Sequence, residues 1–237
     1  MTGIMGLLNF GKQKRVKINE DLSVAETGFV VIDTELTGLD GRKDSIVSMA
    51  AIRMEGGSID LNNTFYRLIN PETALTAKSV VIHEITPSDV MQKPDIDTVL
   101  SEFLEFCGDA VVVGHCVSID LEFIDREMKK KFGYPMRNRS IDTFVIYRWL
   151  AKRAADRSEF SAPLRDFKLY PMARAFGVPV SGAHNAMMDA FITAQLFQRF
   201  IPMLDACGIK KIGDLLGAGD PFKGGEAYRS AGEAVNL

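Results

Sequence analysis

The sequence is poor in cysteine and has no long apolar segment, and each shortage excludes a class of protein. Its 237 residues include three widely spaced cysteines in apolar surroundings, Cys107, Cys116 and Cys207. This usage excludes a disulfide-stapled scaffold and predicts buried free thiols in a reducing compartment. No stretch reaches the roughly 20 apolar residues that cross a bilayer. Apolar residues (4–10) precede basic ones (12–17), the reverse of a secretory signal, so we predict a cytoplasmic protein without a membrane partner.

An overall excess of positive charge is also missing, although the charge is unevenly distributed. The formal net charge is −3. Residues 1–125 carry 10 Lys and Arg against 20 Asp and Glu, residues 126–174 carry 13 against 5, and residues 175–237 carry 5 against 6. The basic middle block fits either a face that follows phosphates or a set of solvated helix faces. The acidic first part supplies carboxylates for metal binding.

Apolar periodicity predicts an α/β fold with a mixed sheet. A strand hairpin followed by alternating helices and strands is typical of that class. The predicted strands cover 28–33, 45–54, 59–69, 110–114 and 138–142, and the predicted helices cover 95–107, 119–131, 142–154, 168–176 and 184–203, with a short helix and turn at 79–92. We predict a flexible arm at 1–26, one domain at 27–204, and a C-terminal extension at 205–237 that is flexible from about residue 217.

Two acidic residues follow a buried strand in the segment FVVIDTELTG. Asp33 and Glu35 are two positions apart, so on a strand their side chains point to the same face. Carboxylates held that close repel each other unless one keeps a proton or a cation lies between them. The apolar run before Asp33 and the turn at Thr37 and Gly38 place the pair at the carboxyl edge of a central strand, where clefts of open α/β sheets lie.

A third acidic residue, Asp120, ends the segment VVVGHCVSID. It follows a second strand edge, and Gly114 lets the backbone turn between strand and helix. This placement favours a ligand role. An acid in the first turn of a helix also complements the helix dipole, which is a purely structural alternative.

The segment AHNAMMDA joins a histidine to a fourth acid. Asp189 lies on a helix predicted to begin near Ala183, and His184 is five residues earlier, about 500° of helix rotation away. The two side chains therefore do not share one stripe, and His184 must come from the first turn or the preceding loop. Histidine, which ordinarily titrates near pH 6.5, suits a general base at neutral pH.

Together these residues predict a metal-dependent hydrolytic site. Four carboxylates supply oxygen ligands for two hard cations, Mg²⁺ or Mn²⁺: Asp33, Glu35, Asp120 and Asp189. One cation acidifies a water molecule whose proton His184 accepts, and the other stabilises the leaving oxygen. That arrangement suits in-line attack on a phosphodiester.

The motifs resemble those of the DEDD superfamily of 3′–5′ exonucleases over about residues 28–204. DTELTG, VGHCVSID and HNAMMDA are similar to the three motifs of its DnaQ-like branch, which has histidine in the third motif and includes the proofreading epsilon subunit of bacterial DNA polymerase III. IHEIT (82–86) and IDT (141–143) are similar to further segments of that branch. The resemblance implies a ribonuclease-H-like, five-stranded mixed sheet flanked by helices. It also implies two-metal hydrolysis that releases nucleoside monophosphates from a 3′ end.

The resemblance also implies contacts with the substrate. Leu36, Thr37 and Gly38 lie in the segment against the terminal nucleotide, and the family usually has threonine where Leu36 stands. His83 belongs to the IHEIT segment. His115 lies beside the second strand edge, where it is either a structural residue or a substrate contact. None of the departures from the family pattern touches a metal ligand, so we expect catalysis to be retained.

The motifs leave three functions open. The first is a metal-dependent 3′–5′ exonuclease acting on single-stranded DNA 3′ ends in proofreading or repair, with DNA favoured over RNA. The second is an exoribonuclease that trims RNA or short oligonucleotides at the same site. The third is a non-catalytic module that binds nucleic acid or a polymerase, which the complete ligand set disfavours. By the same resemblance, a DNA polymerase subunit is a candidate partner for the tail at 217–237.

Overall fold

A computed structural model describes residues 16–154, 166–180 and 184–223 of the chain. Within these ranges a mixed five-stranded sheet has the order β3-β2-β1-β4-β5. Its strands are β1 (Gly28–Leu36), β2 (Ile46–Glu55), β3 (Ser58–Leu68), β4 (Val111–Gly114) and β5 (Ser140–Asp142). The helices are α1 (Ala77–His83), α2 (Pro87–Val90), α3 (Ile96–Cys107), α4 (Ser118–Phe132), α5 (Thr143–Ala154), α6 (Leu169–Ala175), α7 (Ala186–Ala206) and α8 (Ile212–Ala218). The predicted α/β class is confirmed.

The central strand, β1, supplies side chains to two separate cores. It pairs antiparallel with β2 and parallel with β4. Phe29 and Val31 pack with residues of α5 and α7, whereas Val30 packs with residues of α3 and α4 on the other face. Because strand side chains alternate between faces, Asp33 and Glu35 continue the row that faces α7.

Most predicted boundaries agree with the structure to within about three residues. The exception is the segment 79–92, where two short helices replace one helix and turn. Glu84 ends α1 in the left-handed conformation, with φ 59°. Pro87 then begins α2, because proline fits the first turn of a helix but disfavours helical backbone at the residue before it.

Residues 20–26 differ from the predicted flexible arm, because they pack against the C-terminal extension. Val24 is buried, and its N–H donates to the carbonyl of Lys210 at 2.9 Å. The N–H of Ile212 donates to the carbonyl of Leu22 at 2.9 Å. These two bonds attach residues 20–26 to the segment 210–212. Residues 1–15 of the predicted arm lie outside the described residues.

The C-terminal extension contains α8, which the sequence analysis did not predict. Ile212 and Leu215 are fully buried and join the core that includes α5 and α7. The N–H of Asp142 donates to the carbonyl of Gly219 at 2.8 Å, which attaches the extension to β5. Residues 217–223 therefore differ from the predicted flexible tail, and residues 224–237 lie outside the described residues.

The cysteines are free thiols. Cys107 and Cys116 are buried, as predicted, and burial raises the pKa of each thiol. Cys207 differs from the prediction because it is only partly buried where α7 ends. No helix in the part of the chain that the structure describes is long and apolar enough to cross a membrane.

Candidate active site

Three carboxylates meet at the carboxyl end of β1. Asp33 and Glu35 lie on the α7 side of the strand, and the first turn of α7 brings Asp189 to them. Carboxylate oxygens of the three residues lie within 4.8 Å of one another. Oxygen atoms at that separation suit a hard divalent cation such as Mg²⁺ or Mn²⁺.

Small residues allow α7 to approach the sheet at this point. The side chain of Asn185 caps the helix. Ala186 and Ala190, both fully buried, pack with Ala50 of β2. Because these side chains end at Cβ, the helix backbone lies close to the sheet and Asp189 reaches the end of β1.

Burial and mutual repulsion determine the protonation of the acids. Loss of solvation, followed by the charges of neighbouring acids, raises the pKa of Glu35 to about 8. Burial likewise raises the pKa of Asp189 to about 6. The pKa of Asp33 lies well above its ordinary 3.8, first because of burial and then because of the surrounding carboxylates. A divalent cation would offset both effects by stabilising the ionised forms, so the donor set fits a metal site.

Asp33, Glu35 and Asp189 line a cleft in the surface, and Asp120 lines the same cleft. Asp120 lies outside the group of three converging carboxylates. Its Oδ1 accepts the hydroxyl of Thr34 at 2.6 Å. Burial outweighs this hydrogen bond and raises the pKa of Asp120 to about 7. Its charge in turn raises the pKa values of Asp33 and Glu35. The four predicted ligands therefore share one electrostatic environment.

A buried carboxylate, Asp142, fixes the loop that leads to Asp120. It accepts the backbone N–H groups of Cys116 at 3.2 Å and Val117 at 2.9 Å, and that of Phe144 at 2.8 Å. These bonds support Cys116 at φ 55°, a backbone conformation that residues other than glycine rarely adopt. Apart from its place in the IDT segment, this acid could not be assigned its role from the sequence, because its partners in the β4–α4 loop are distant along the chain.

His184 lies in the loop before α7, at the exposed rim of the cleft. The helix begins at Ala186, whereas its predicted start near Ala183 lies outside the described residues. His184 thus precedes the helix, in the second of its two predicted placements. Its φ is 62°, in the left-handed region, which is sterically costly for a residue with a Cβ.

Tyr170, which the sequence analysis missed, connects His184 with Asp189. Its hydroxyl lies 2.8 and 2.7 Å from the two carboxylate oxygens of Asp189. The N–H of His184 donates to the same hydroxyl at 2.6 Å. Burial and the adjacent Asp189 raise the pKa of Tyr170, so the hydroxyl keeps its proton. No local pattern separates this tyrosine from the others, because its role depends on how α6 packs against α7.

The five residues predicted to contact substrate line the cleft, whose volume is about 740 Å³: Leu36, Thr37, Gly38, His83 and His115. The hydroxyl of Thr37 donates to Asp44 at 3.0 Å and accepts the N–H of Ser45 at 2.9 Å. A Cβ on Gly38 would lie 2.5 Å from Oδ2 of Asp44. Both residues therefore shape the loop after β1. Their contact with a substrate stays a prediction, as does that of Leu36.

The two cleft histidines differ in what they can offer a substrate. Nε2 of His115 donates to the carbonyl of Phe167 and its Nδ1 accepts the hydroxyl of Thr143, both at 2.9 Å. Burial lowers its pKa to about 4, so this ring is neutral and fully hydrogen-bonded, which favours the structural alternative. Nδ1 of His83 accepts the N–H of Ile85 at 3.0 Å. Nε2 of His83 therefore carries the proton, and it has no hydrogen-bond partner among the described residues.

Basic side chains also line the cleft. Lys78 belongs to α1, and Lys168 and Arg174 belong to the α6 segment. The lysines at 129–131 lie instead at the other end of α4, about ten residues and roughly 15 Å beyond Asp120. The predicted basic block is therefore divided, with its last members at the cleft.

The sheet order and the acidic cleft define a nuclease of the ribonuclease-H-like class. The model of the exonuclease family matches residues 30–197, and the chain belongs to this family. It is 34% identical over 191 residues to the DNA polymerase III subunit epsilon of Aquifex aeolicus, with 81% of this chain and 88% of that protein covered. It is 32% identical over 198 residues to the PolC-type DNA polymerase III of Thermotoga maritima. That match covers 84% of this chain but only 14% of the relative.

Solved structures share the fold. The nuclease domain of 3′hExo, a DEDDh family member bound to rAMP, has a TM-score of 0.63 at 18% identity, with 77% of this chain and 94% of that chain covered. Exonuclease I of E. coli in complex with a dT13 oligonucleotide has a TM-score of 0.64 at 18% identity, with 77% and 43% covered. The predictions of a ribonuclease-H-like fold and of an exonuclease are thereby confirmed.

Proposed function

We propose that this chain hydrolyses single-stranded DNA from its 3′ end and releases nucleoside monophosphates. The observation that carries the proposal is the convergence of Asp33, Glu35 and Asp189 within 4.8 Å. Asp120 and His184 line the same cleft. A set of carboxylates with an adjacent histidine is suited to metal-assisted hydrolysis of a phosphodiester.

In this proposal the four carboxylates hold two Mg²⁺ or Mn²⁺ ions, which supply an acidified water and stabilise charge on the phosphate oxygens. His184 accepts the proton of the attacking water from the rim of the cleft. Leu36 packs against the terminal nucleotide. His83, which lines the cleft, is a further proposed contact of the substrate.

The cleft offers the two kinds of surface that single-stranded nucleic acids bind. Leu36, Ile82 and Ile119 provide apolar faces for bases, and Lys168 and Arg174 provide charge for phosphates. DNA is the proposed substrate because the two relatives described above are named as a PolC-type DNA polymerase III and as the epsilon subunit of DNA polymerase III. RNA remains the competing substrate, since the same site serves both.

The proposal is tested with 3′-labelled and 5′-labelled single-stranded DNA and RNA, each incubated with Mg²⁺, Mn²⁺ or EDTA. We expect metal-dependent release of mononucleotides from the 3′ end, faster on DNA than on RNA. A faster rate on RNA would identify an exoribonuclease. Binding without cleavage, with metal bound, would identify a non-catalytic module.

Asp33→Ala is the matched variant for this assay. We expect it to abolish cleavage while the protein stays folded, because the substitution removes a ligand and also relieves repulsion among buried acids. Glu105→Gln, an exposed site on α3, removes one negative charge elsewhere and should leave the rate unchanged. Full activity of Asp33→Ala would refute the metal site.

A DNA polymerase subunit is the partner we propose. The supporting observation is that the Aquifex aeolicus relative, covered over 88% of its length, is named as a subunit of DNA polymerase III. Sedimentation of the full chain with a bacterial replicative polymerase subunit measures this directly. If the two proteins sediment as separate boundaries at micromolar concentrations, they do not form a complex, and the exonuclease acts alone.

A further inference from the structure

One side chain joins the general base of the proposed reaction to a metal ligand. Tyr170, on the first turn of α6, places its hydroxyl between the backbone of His184 and the carboxylate of Asp189. The ring of Tyr170 also meets the ring of His184 edge-on, with centroids 5.2 Å apart. The tyrosine therefore contacts the histidine at both its backbone and its side chain.

The direction of the hydrogen bonds follows from the atoms available. The N–H of His184 can only donate, so it uses the oxygen of the Tyr170 hydroxyl as acceptor. The single hydroxyl proton then points to Asp189, whose two oxygens lie 2.8 and 2.7 Å away. An ionised carboxylate has about four acceptor positions. One bond from Tyr170 thus leaves Asp189 with positions for a cation.

The backbone of His184 needs support from outside its own loop. Its φ of 62° lies in a region that residues with a Cβ rarely occupy, and such conformations persist where the surroundings enforce them. Asn185 caps α7 on one side of His184. The hydroxyl of Tyr170 accepts the N–H of His184 itself. This bond fixes the position of the His184 backbone, from which the imidazole extends, relative to Asp189.

We infer that Tyr170 is a positioning residue whose hydroxyl fixes the positions of His184 and Asp189 relative to each other. The role rests on the proposed function, because it matters when His184 serves as the base and Asp189 as a ligand. Residues that orient metal ligands typically change affinity or activity by about 10- to 100-fold when they are removed. Tyr170→Phe removes the hydroxyl and keeps the ring, so it isolates this contribution.

The test compares Tyr170→Phe with Tyr134→Phe. Tyr134 follows α4, where it stacks on Phe132 and under the guanidinium of Arg137, and it does not line the cleft. We expect Tyr170→Phe to lower kcat by about 10- to 100-fold with KM nearly unchanged, and to shift the backbone amide resonance of His184 and weaken Mn²⁺ binding. Tyr134→Phe should do none of these. Wild-type kcat, Mn²⁺ affinity and amide resonance in Tyr170→Phe would overturn the inference.

A measurement on the unmodified protein covers the case in which Tyr170→Phe does not fold. The His184 amide should exchange with solvent slowly, because it is hydrogen-bonded although its residue is exposed. Exchange at the rate of an unprotected amide would overturn the inference. The amide and Mn²⁺ measurements require no turnover, so failure of the exonuclease proposal in the cleavage assay is distinguishable from failure of the role of Tyr170.

Discussion

At the scale of single residues, His184 is the proposed general base, and we do not expect it to bind metal. It lies at the exposed rim, outside the group of three converging carboxylates. We expect His184→Ala to lower kcat by about 10²–10⁴-fold, the usual contribution of a general base. Mn²⁺ binding should stay intact, because every predicted ligand is retained.

The pH–rate profile distinguishes this role from a structural one. A general base gives the profile an acidic limb, and His184→Ala should remove that limb. Asp189→Asn is the comparison variant, and it should lose both activity and metal affinity. An unchanged profile in His184→Ala would place the base elsewhere.

Residues of the site differ in how far the sequence could predict them. Asp33 and Glu35 stand on one strand, so the two-residue repeat alone indicates that they share a face. His184 and Asp189 stand on one loop and helix, and their five-residue spacing indicates that His184 lies off the stripe of Asp189, in the first turn or the preceding loop. Tyr170 acts through a contact between two helices, and the chemistry of such a contact is not contained in either segment alone.

At the scale of elements, the position of α7 determines the position of Asp189. Ala186 and Ala190 pack with Ala50 and Ile52 of β2, and their small side chains set the distance between helix and sheet. Protein interiors are packed densely enough that a larger residue at either position must displace its neighbours. We therefore expect metal binding to depend on packing next to the carboxylates as well as on the carboxylates themselves.

Ala190→Leu tests this dependence. Because Ala190 is fully buried, the larger side chain should destabilise the fold by about 1–3 kcal/mol and displace α7 at Asp189. We expect Ala190→Leu to bind Mn²⁺ more weakly than the wild type. This loss of affinity should persist at temperatures where the variant is still folded. Ala206→Leu, at the exposed far end of the same helix, is the control. Wild-type metal affinity in folded Ala190→Leu would show that the packing of α7 against β2 does not control metal binding.

Elements with strong periodicity were predictable, and α8 was not. The strands and long helices carry apolar runs of period 2 or 3.6 over many residues. In contrast, α8 is seven residues long and contains Gly213 and Gly217, which lower helix propensity. Its buried Ile212 and Leu215 stabilise it through contacts with distant elements. Tertiary packing thus outweighs the low helix propensity of this segment, which on its own predicts a flexible tail.

Across the whole molecule, basic residues reach the cleft from only part of the basic block. Lys168 lines the cleft, whereas Lys129 is exposed near the other end of α4. We expect Lys168→Ala to raise KM and to reduce the salt dependence of binding by about 0.7 in the slope of log K against log salt, the value for one single-strand phosphate contact. Lys129→Ala is the matched control and should change neither. Equal effects of the two variants would indicate a continuous basic face.

We expect the burial of the acidic cluster to make stability depend on pH and metal together. In the unfolded chain these carboxyls release their protons near the ordinary values of 3.8 for Asp and 4.5 for Glu. In the folded chain the pKa is about 6 for Asp189, about 7 for Asp120 and about 8 for Glu35. Between these limits the folded state binds more protons, so the free energy of unfolding falls as pH rises.

In EDTA, we therefore expect the melting temperature to fall steadily from pH 5 to pH 8. One unit of raised pKa corresponds to about 1.4 kcal/mol, and 1 kcal/mol to roughly 2–4 °C for a chain of this size. Mg²⁺ binds the ionised carboxylates, so its stabilising effect should be larger at pH 8 than at pH 5. Glu35→Gln should flatten the dependence in EDTA, whereas Glu105→Gln should not. A melting temperature that stays constant from pH 5 to pH 8 in EDTA would show that folding does not raise the pKa values of these carboxyls.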